Sequence, residues 1–292
     1  WDAINLYSPV IGEDSVIDSR VPYIIYGDMT VKEGVTLTIR NTSFYFHESS
    51  GLEVYGSLNT ENCLMRGDRL DRMFSYLPYD RICGQWKGIH LYTSSTENIL
   101  IDTEIRNPEY GIICDSAAIG DTYRLRMLRC VVHNCKGVGV ELNKAYALLE
   151  NCQLTNTLGD CLSISGGNAE IQYCTIAQFY PFSANRGAAL YLTNQYSSLE
   201  RFICEGSIIT GYEEDVVMGS QKGDDTAFNY SFKNCLLRTP MVDDAKHYSD
   251  IIWESINDSI QGTKHFVTID EENLYYDFHL VPKSPAVGLG CY

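Results

Sequence analysis

Proline is scarce in this chain of 292 residues, at 8, and no segment carries the roughly 3.6-residue apolar period of a long amphipathic helix. A mainly helical architecture is thereby excluded. No run approaches the ~20 consecutive apolar residues that cross a bilayer as a helix. No secretory leader opens the chain, and residue 1 is Trp, so a processed or trimmed form is expected. Cys-X-X-Cys pairs are absent and the 6 His do not cluster, which excludes the usual zinc and dithiol motifs. Positive charge is short: 22 Lys and Arg face 38 Asp and Glu, for a net charge of -16 and a pI near 4.7. Such a surface repels nucleic acid and anionic membranes, so neither is expected as a partner.

Strand-forming residues dominate what is present. Hydrophobic residues make up 45% of the chain, enough for a sizeable core, and 21 Tyr together with Thr, Ile and Val bias it toward strand. The 11 Cys are too many and too widely spread for a small disulfide scaffold, but their spacing is informative. Met127-Leu128-Arg129-Cys130, Leu149-Glu150-Asn151-Cys152, Ile171-Gln172-Tyr173-Cys174 and Phe232-Lys233-Asn234-Cys235 align, with steps of 22 residues from Cys130 to Cys152 and from Cys152 to Cys174. Looser copies centre on Thr103 and Gly206. A second element follows in phase at Gly111-Ile112-Ile113-Cys114, Gly137-Val138-Gly139-Val140-Glu141-Leu142, Gly159-Asp160-Cys161-Leu162-Ser163-Ile164 and Gly187-Ala188-Ala189-Leu190-Tyr191-Leu192.

Each copy is too short for a βα unit and holds about three short strands with period-two alternation. One such coil cannot bury its own apolar face, whereas stacked coils can. The expected fold is all-β: a single-stranded right-handed parallel β-helix with a C-terminal cap. Residues 1–20 read as a lead-in, 21–245 as coils and 246–292 as a cap of the same domain. The Cys are expected to stack inward as small buried thiols. The residue before each one should occupy a left-handed bend, which suits Asn151, Asn234 and Asp102 better than Arg129 and Tyr173.

Several segments carry a family resemblance. Pro22-Tyr23-Ile24-Ile25-Tyr26-Gly27, Gly34-Val35-Thr36-Leu37-Thr38-Ile39, Gly67-Asp68-Arg69-Leu70-Asp71 and Gly84-Gln85-Trp86-Lys87-Gly88-Ile89-His90-Leu91 resemble bacterial secreted or outer-surface right-handed β-helix lipoproteins. Tyr276-Asp277-Phe278-His279-Leu280 with Ser284-Pro285-Ala286-Val287-Gly288 is similar to the closing motif of secreted β-helix proteins. The resemblance implies an exported protein that is secreted, periplasmic or lipid-anchored at an outer surface. It also implies a preceding β-sandwich domain outside this chain. It implies little about activity.

Candidate chemistry is sparse. Asn156-Thr157-Leu158-Gly159-Asp160-Cys161 resembles a polygalacturonase coil, but one Asp stands where two adjacent acids belong, and Gly187-Ala188-Ala189 replaces the expected Gly-His-Gly. Asp160 alone cannot be both acid and base. Alternation suggests Asp115 and Glu141 at one outward position of successive coils, followed by Ser163 and Tyr191; two stacked carboxylates would suit Ca²⁺. No other cofactor or metal is expected. Among nearby bases, Lys136, Lys144 and His133, no spacing singles one out. Arg66-Gly67-Asp68 spells an adhesion tripeptide but belongs to the family pattern. Two aromatic insertions, around Tyr76 and Tyr79 and around Phe179 and Tyr180, offer flat rings to sugars. The reading is a non-catalytic surface protein that binds an extracellular polysaccharide or serves as an adhesive scaffold. The alternative is a polysaccharide lyase or glycoside hydrolase, with Glu141 and Asp160 as weak catalytic candidates.

Overall fold

The computed structural model describes residues 2–70, 82–118, 120, 122–223, 225–271 and 275–290. The candidate residues Tyr76 and Tyr79 lie outside them. Short strands wind into coils that pair in parallel, each with its equivalents before and after, so the chain forms three long sheet faces. Face I includes Tyr23–Tyr26, Ser43–Phe46, Val131–His133, Gln153–Thr155, Thr175–Gln178 and Ile208–Gly211. Face II includes Leu52–Val54, Ile89–Leu91, Ile112–Cys114 and Leu190–Thr193. Face III includes Thr36–Arg40, Leu125–Leu128 and Leu199–Glu205. Two 11-residue strands, Val140–Glu150 and Leu162–Gln172, run from face II into face III, while Asn98–Arg106 runs from face III into face I. Strands Ile4–Tyr7, Val10–Ile11 and Ser15–Asp18 already pair with the following coil, so the ladder begins ahead of residue 21. Tyr248–Ser249 and Ile252–Trp253 carry it past residue 245.

The core is one continuous interior built from alternate residues of all three faces, such as Leu100, Ile105, Val132, Leu142, Leu149, Leu154, Ile164 and Ile171. Its III-to-I corner is where the Cys stack. Register aligns Cys63, Thr103, Cys130, Cys152, Cys174, Ser207 and Cys235. The preceding residue is left-handed at every step: Asn62, Asp102, Arg129, Asn151, Tyr173, Gly206 and Asn234 all have φ between 47° and 61°. A non-glycine residue there costs about 1–2 kcal/mol. Arg129 offsets part of that by pairing with Asp102 one coil away, Nε to Oδ1 at 2.7 Å. Tyr173 lays its ring over Gly206, where a Cβ would collide with it.

The stacked side chains also share a hydrogen bond. Cys63, Cys130, Cys152, Cys174 and Cys235 each donate from Sγ to the carbonyl two residues earlier, at 3.2–3.5 Å. Thr103 and Ser207 do the same from their hydroxyls, at 2.9 Å each. The position therefore suits a small donor that adds a second hydrogen bond to the carbonyl ahead of the bend. The carbonyls of Glu61, Glu150, Gln172, Glu205 and Lys233 also accept a backbone N–H from the coil before. Cys, Thr and Ser can each supply the added bond. All ten described cysteines are free thiols, and all but Cys83 are buried.

The C-terminal segment packs along the side of the coils. Gly262–His265 forms a 3₁₀ turn, and Phe266–Asp270 pairs antiparallel with Tyr275–Leu280. This hairpin covers the outward side of face I, where Phe266 joins Ala177, Phe179, Ile208 and Leu236 in a second apolar cluster, with Phe278 packed against it. A buried polar knot ties it down. Glu254 accepts from Arg238 Nη1 at 2.5 Å and from Thr210 Oγ1 at 2.7 Å, and lies 3.4 Å from His265 Nε2.

Candidate functional site

The hairpin leaves part of face I uncovered, and a cleft of about 590 Å³ lies beside it. In each strand of the floor the middle residue points inward, as Ile105, Val132 and Leu154 do, so its neighbours point out. Register stacks Arg66, Arg106, His133 and Thr155 one coil apart. Coils are spaced by about 4.8 Å, so this row extends roughly 14 Å. A parallel row holds Glu104, Val131 and Gln153. At the next corner Asn107, Asn134 and Asn156 form a second left-handed ladder, with φ of 62°, 56° and 57°. Asn134 Nδ2 donates to Asn107 Oδ1 at 2.8 Å. Pro181, Phe182, Tyr275, Tyr276 and Phe278 complete the lining around this floor.

Charge is concentrated at one end of the floor. Glu104 Oε1 lies 3.1 Å from His133 Nε2 and 3.3 Å from Arg106 Nη1. Burial pushes the Glu104 carboxyl up, but the His133 hydrogen bond and the charges of His133, Arg106 and Arg66 outweigh it and hold the acid below its ordinary range. Toward the other end the floor is neutral, with Gln153, Thr155 and Asn156. Among the described lining residues Glu104 is the sole carboxylate, so they hold no acid pair of the kind a glycoside hydrolase uses.

The expected site residues fall elsewhere. Phe179 is fully buried, packed edge-on against Tyr212 and Phe266. Tyr180 is 5% exposed, with its hydroxyl 3.1 Å from Cys83 Sγ. Neither ring is available to a ligand: Phe179 packs into the cluster that seats the hairpin, Tyr180 turns toward Cys83, and Phe182, 57% exposed, is the outward ring. Asp115 and Glu141 do not stack. Glu141 pairs with Ile113, and Asn143 takes the register of Asp115, so the geometric argument for calcium between the two carboxylates falls away. Among the described residues, no group of three or more His, Cys, Asp or Glu is arranged to hold a metal. Glu141, Ser163 and Tyr191 do share one outward row of face II. Asp115 instead meets His90 Nε2 at 3.0 Å, and Glu141 accepts from Asn143 Nδ2 at 2.8 Å. Asp160 Oδ1 accepts the Ala188 N–H at 2.7 Å, closing the turn that opens the next strand. Burial raises its pKa, the Ala188 N–H opposes this, and the nearby Glu141 charge adds to the rise. Asp160 does not line the cleft.

Winding, coil register and laterally served bends define a right-handed parallel β-helix. The family model described as "Right handed beta helix region" matches residues 12–172, and the chain belongs to that family. No curated protein matches. Among solved structures, the chain is similar to the mannuronan C-5 epimerase AlgE6 A-module of Azotobacter vinelandii, at 9% identity and a TM-score of 0.44, covering 86% of this chain and 91% of that one. It is similar to a mutant of the periplasmic alginate epimerase AlgG at 10% identity and a TM-score of 0.31, over 84% and 79% of the two chains. It is also similar to QnrB1, a plasmid-mediated fluoroquinolone resistance protein, at 11% identity and 0.26, over 86% and 90%. These likenesses are of fold alone. Among the described residues, no helix is long and apolar enough to cross a membrane.

Proposed function

We propose that the cleft of face I binds an extended extracellular polysaccharide, and that the protein holds the glycan without cleaving it. The observation that carries this is the stacked polar floor, one side chain per coil, walled by Phe182 and Tyr275. A repeating ligand meets a repeating floor. Aromatic walls take the apolar faces of sugar rings, while Asn, Gln and Thr take hydroxyls. The resemblance to outer-surface lipoproteins supports a place outside the cytoplasm, either secreted, periplasmic or lipid-anchored behind a β-sandwich domain. A glycan array tests the reading. Wild-type protein is expected to retain one polysaccharide class, and Phe182→Ala and Tyr275→Ala are expected to lose it. Both side chains are more than half exposed, at 57% and 58%, so the variants should fold. An array with no retained glycan, or binding indifferent to both changes, would sink the proposal.

A second reading, a polysaccharide lyase, is favoured by His133 held against Glu104 in the same cleft. An imidazole oriented by a carboxylate is suited to proton abstraction. That reading predicts ultraviolet-absorbing unsaturated products that disappear in His133→Ala.

A further inference from the structure

The charged groups among the described residues of the cleft already have partners within the protein. Arg66 is 5% exposed, and its Nε and Nη2 donate to the carbonyls of Gly67 and Arg69 at 3.1 and 3.2 Å. Arg106 Nη1 lies 3.3 Å from Glu104 Oε1, which His133 Nε2 also meets at 3.1 Å. We infer that the ligand is an uncharged polysaccharide, recognised by its hydroxyls and ring faces, and that polyuronates and sulfated glycans are excluded. This rests on the glycan-binding reading above and names the ligand class.

An anionic group has no opening here. Entering beside Arg106, it would either displace Glu104 or lie against it, and like charges in contact repel. From outside, the net charge of -16 opposes the approach of a polyanion. Two polar atoms ask for a different group. Among the described residues, Arg106 Nε is a buried donor without a hydrogen-bond partner, and Asn156 Oδ1 is a buried acceptor without one. Both residues line the cleft. A carboxylate oxygen serves the donor but is repelled by the acceptor. A hydroxyl both donates and accepts, so a chain of hydroxyls serves the two. Gln153, half-buried on the same floor, adds a carboxamide that can do both as well. The exposed rings of Phe182 and Tyr275 contribute apolar surface rather than charge. An uncharged ligand also separates the two readings above. Elimination by a lyase needs a ligand carboxylate to acidify the neighbouring ring proton, and a neutral chain has none.

The test is calorimetric titration of the wild-type chain with two pairs of polymers that differ in charge alone: a neutral glucan and its sulfated form, and methyl-esterified polygalacturonate and its free acid. Each is measured in about 0.01 M and about 1 M salt, between which the screening length falls from about 30 Å to about 3 Å. A neutral polymer is expected to bind with an affinity that changes less than about twofold over that range, since no ion pair forms with it. Within each pair the charged member should never bind the tighter. Phe182→Ala should weaken the neutral polymer about threefold to tenfold, the size of a lost ring contact. A charged member that binds tighter than its neutral twin, or an affinity that collapses as salt rises, overturns this inference. If that binding still depends on Phe182, the glycan-binding reading survives alone; if no glycan binds here or on the array, both fail.

Discussion

Replacing Cys174 by valine should cost more stability than replacing it by serine, although valine is the more apolar residue and the site is buried. Cys174 Sγ donates to Gln172 O at 3.3 Å and accepts the Cys152 N–H at 3.4 Å, while its own N–H is served by Ser207 Oγ at 3.0 Å. Each side chain of this stack thus adds a bond to a carbonyl on its own coil, and here it also serves an amide on the coil before. Valine removes both functions and leaves the Cys152 N–H without an acceptor, an omission worth about 1–3 kcal/mol. Serine keeps both in a smaller atom and loses mainly packing, about 1 kcal/mol or less for a single heavy-atom change. Cys174→Val is therefore expected to be less stable than Cys174→Ser by about 1–2 kcal/mol. Urea unfolding monitored by tryptophan fluorescence measures the difference through the midpoint at constant slope. A valine variant as stable as the serine variant, or more so, would refute the donor requirement and return the stack to simple apolar packing.

Three other outcomes are expected. Phe179→Ala should cost about 3–5 kcal/mol locally, because the ring seats the C-terminal hairpin; hydrogen exchange should speed up across 266–280 with the central coils unchanged, and an unaffected hairpin would contradict its packing role. Glu254 is pushed up by burial but held below its ordinary 4.5 by His265, the Gly262 N–H and Thr210. Its contribution is thus fully present above about pH 4.5 and lost as pH falls through the lowered value. Glu254→Gln should destabilise strongly at neutral pH by stranding Arg238, and the gap to wild type should narrow in acid, whereas a constant gap in melting temperature would show that Glu254 does not titrate in this way. Of the described cysteines, Cys83 alone is not buried, and burial pushes the Cys114 thiol up to about 11. Among these ten a maleimide should label Cys83 first in the native state, and early labelling of Cys130 or Cys152 would count against the stacked interior.

The coil register was legible where a left-handed bend and a small donor recur together, because both are local demands on single residues. It held from Cys130 to Cys174 and reached Cys235. It slipped at face II, where Gly137 and Gly139 both offered an anchor for Gly111. The Ile112 N–H bonds to Gly139 O, so Gly139 is the partner, and the choice of Gly137 displaced Asp115 by two residues onto the row of Glu141. The cleft floor did carry a signal: Arg66, Arg106, His133 and Thr155 each stand three residues after a member of the Cys63, Thr103, Cys130, Cys152 stack. The walls had none, since nothing local to Tyr275 or Phe182 says that the terminal hairpin folds back over face I. Burial of Phe179 follows from that same long-range packing, and Tyr180 is turned toward Cys83, 97 residues away in the chain.

The most direct measurement is hydroxyl-radical footprinting of side chains with and without the glycan that the array identifies. Binding in the face I cleft predicts protection of Phe182, His133 and Tyr275, with Tyr191 and the 92% exposed Tyr196 oxidised as before. Protection of Tyr191 and Tyr196 with an unchanged cleft would contradict it and place the ligand on the opposite side of the helix.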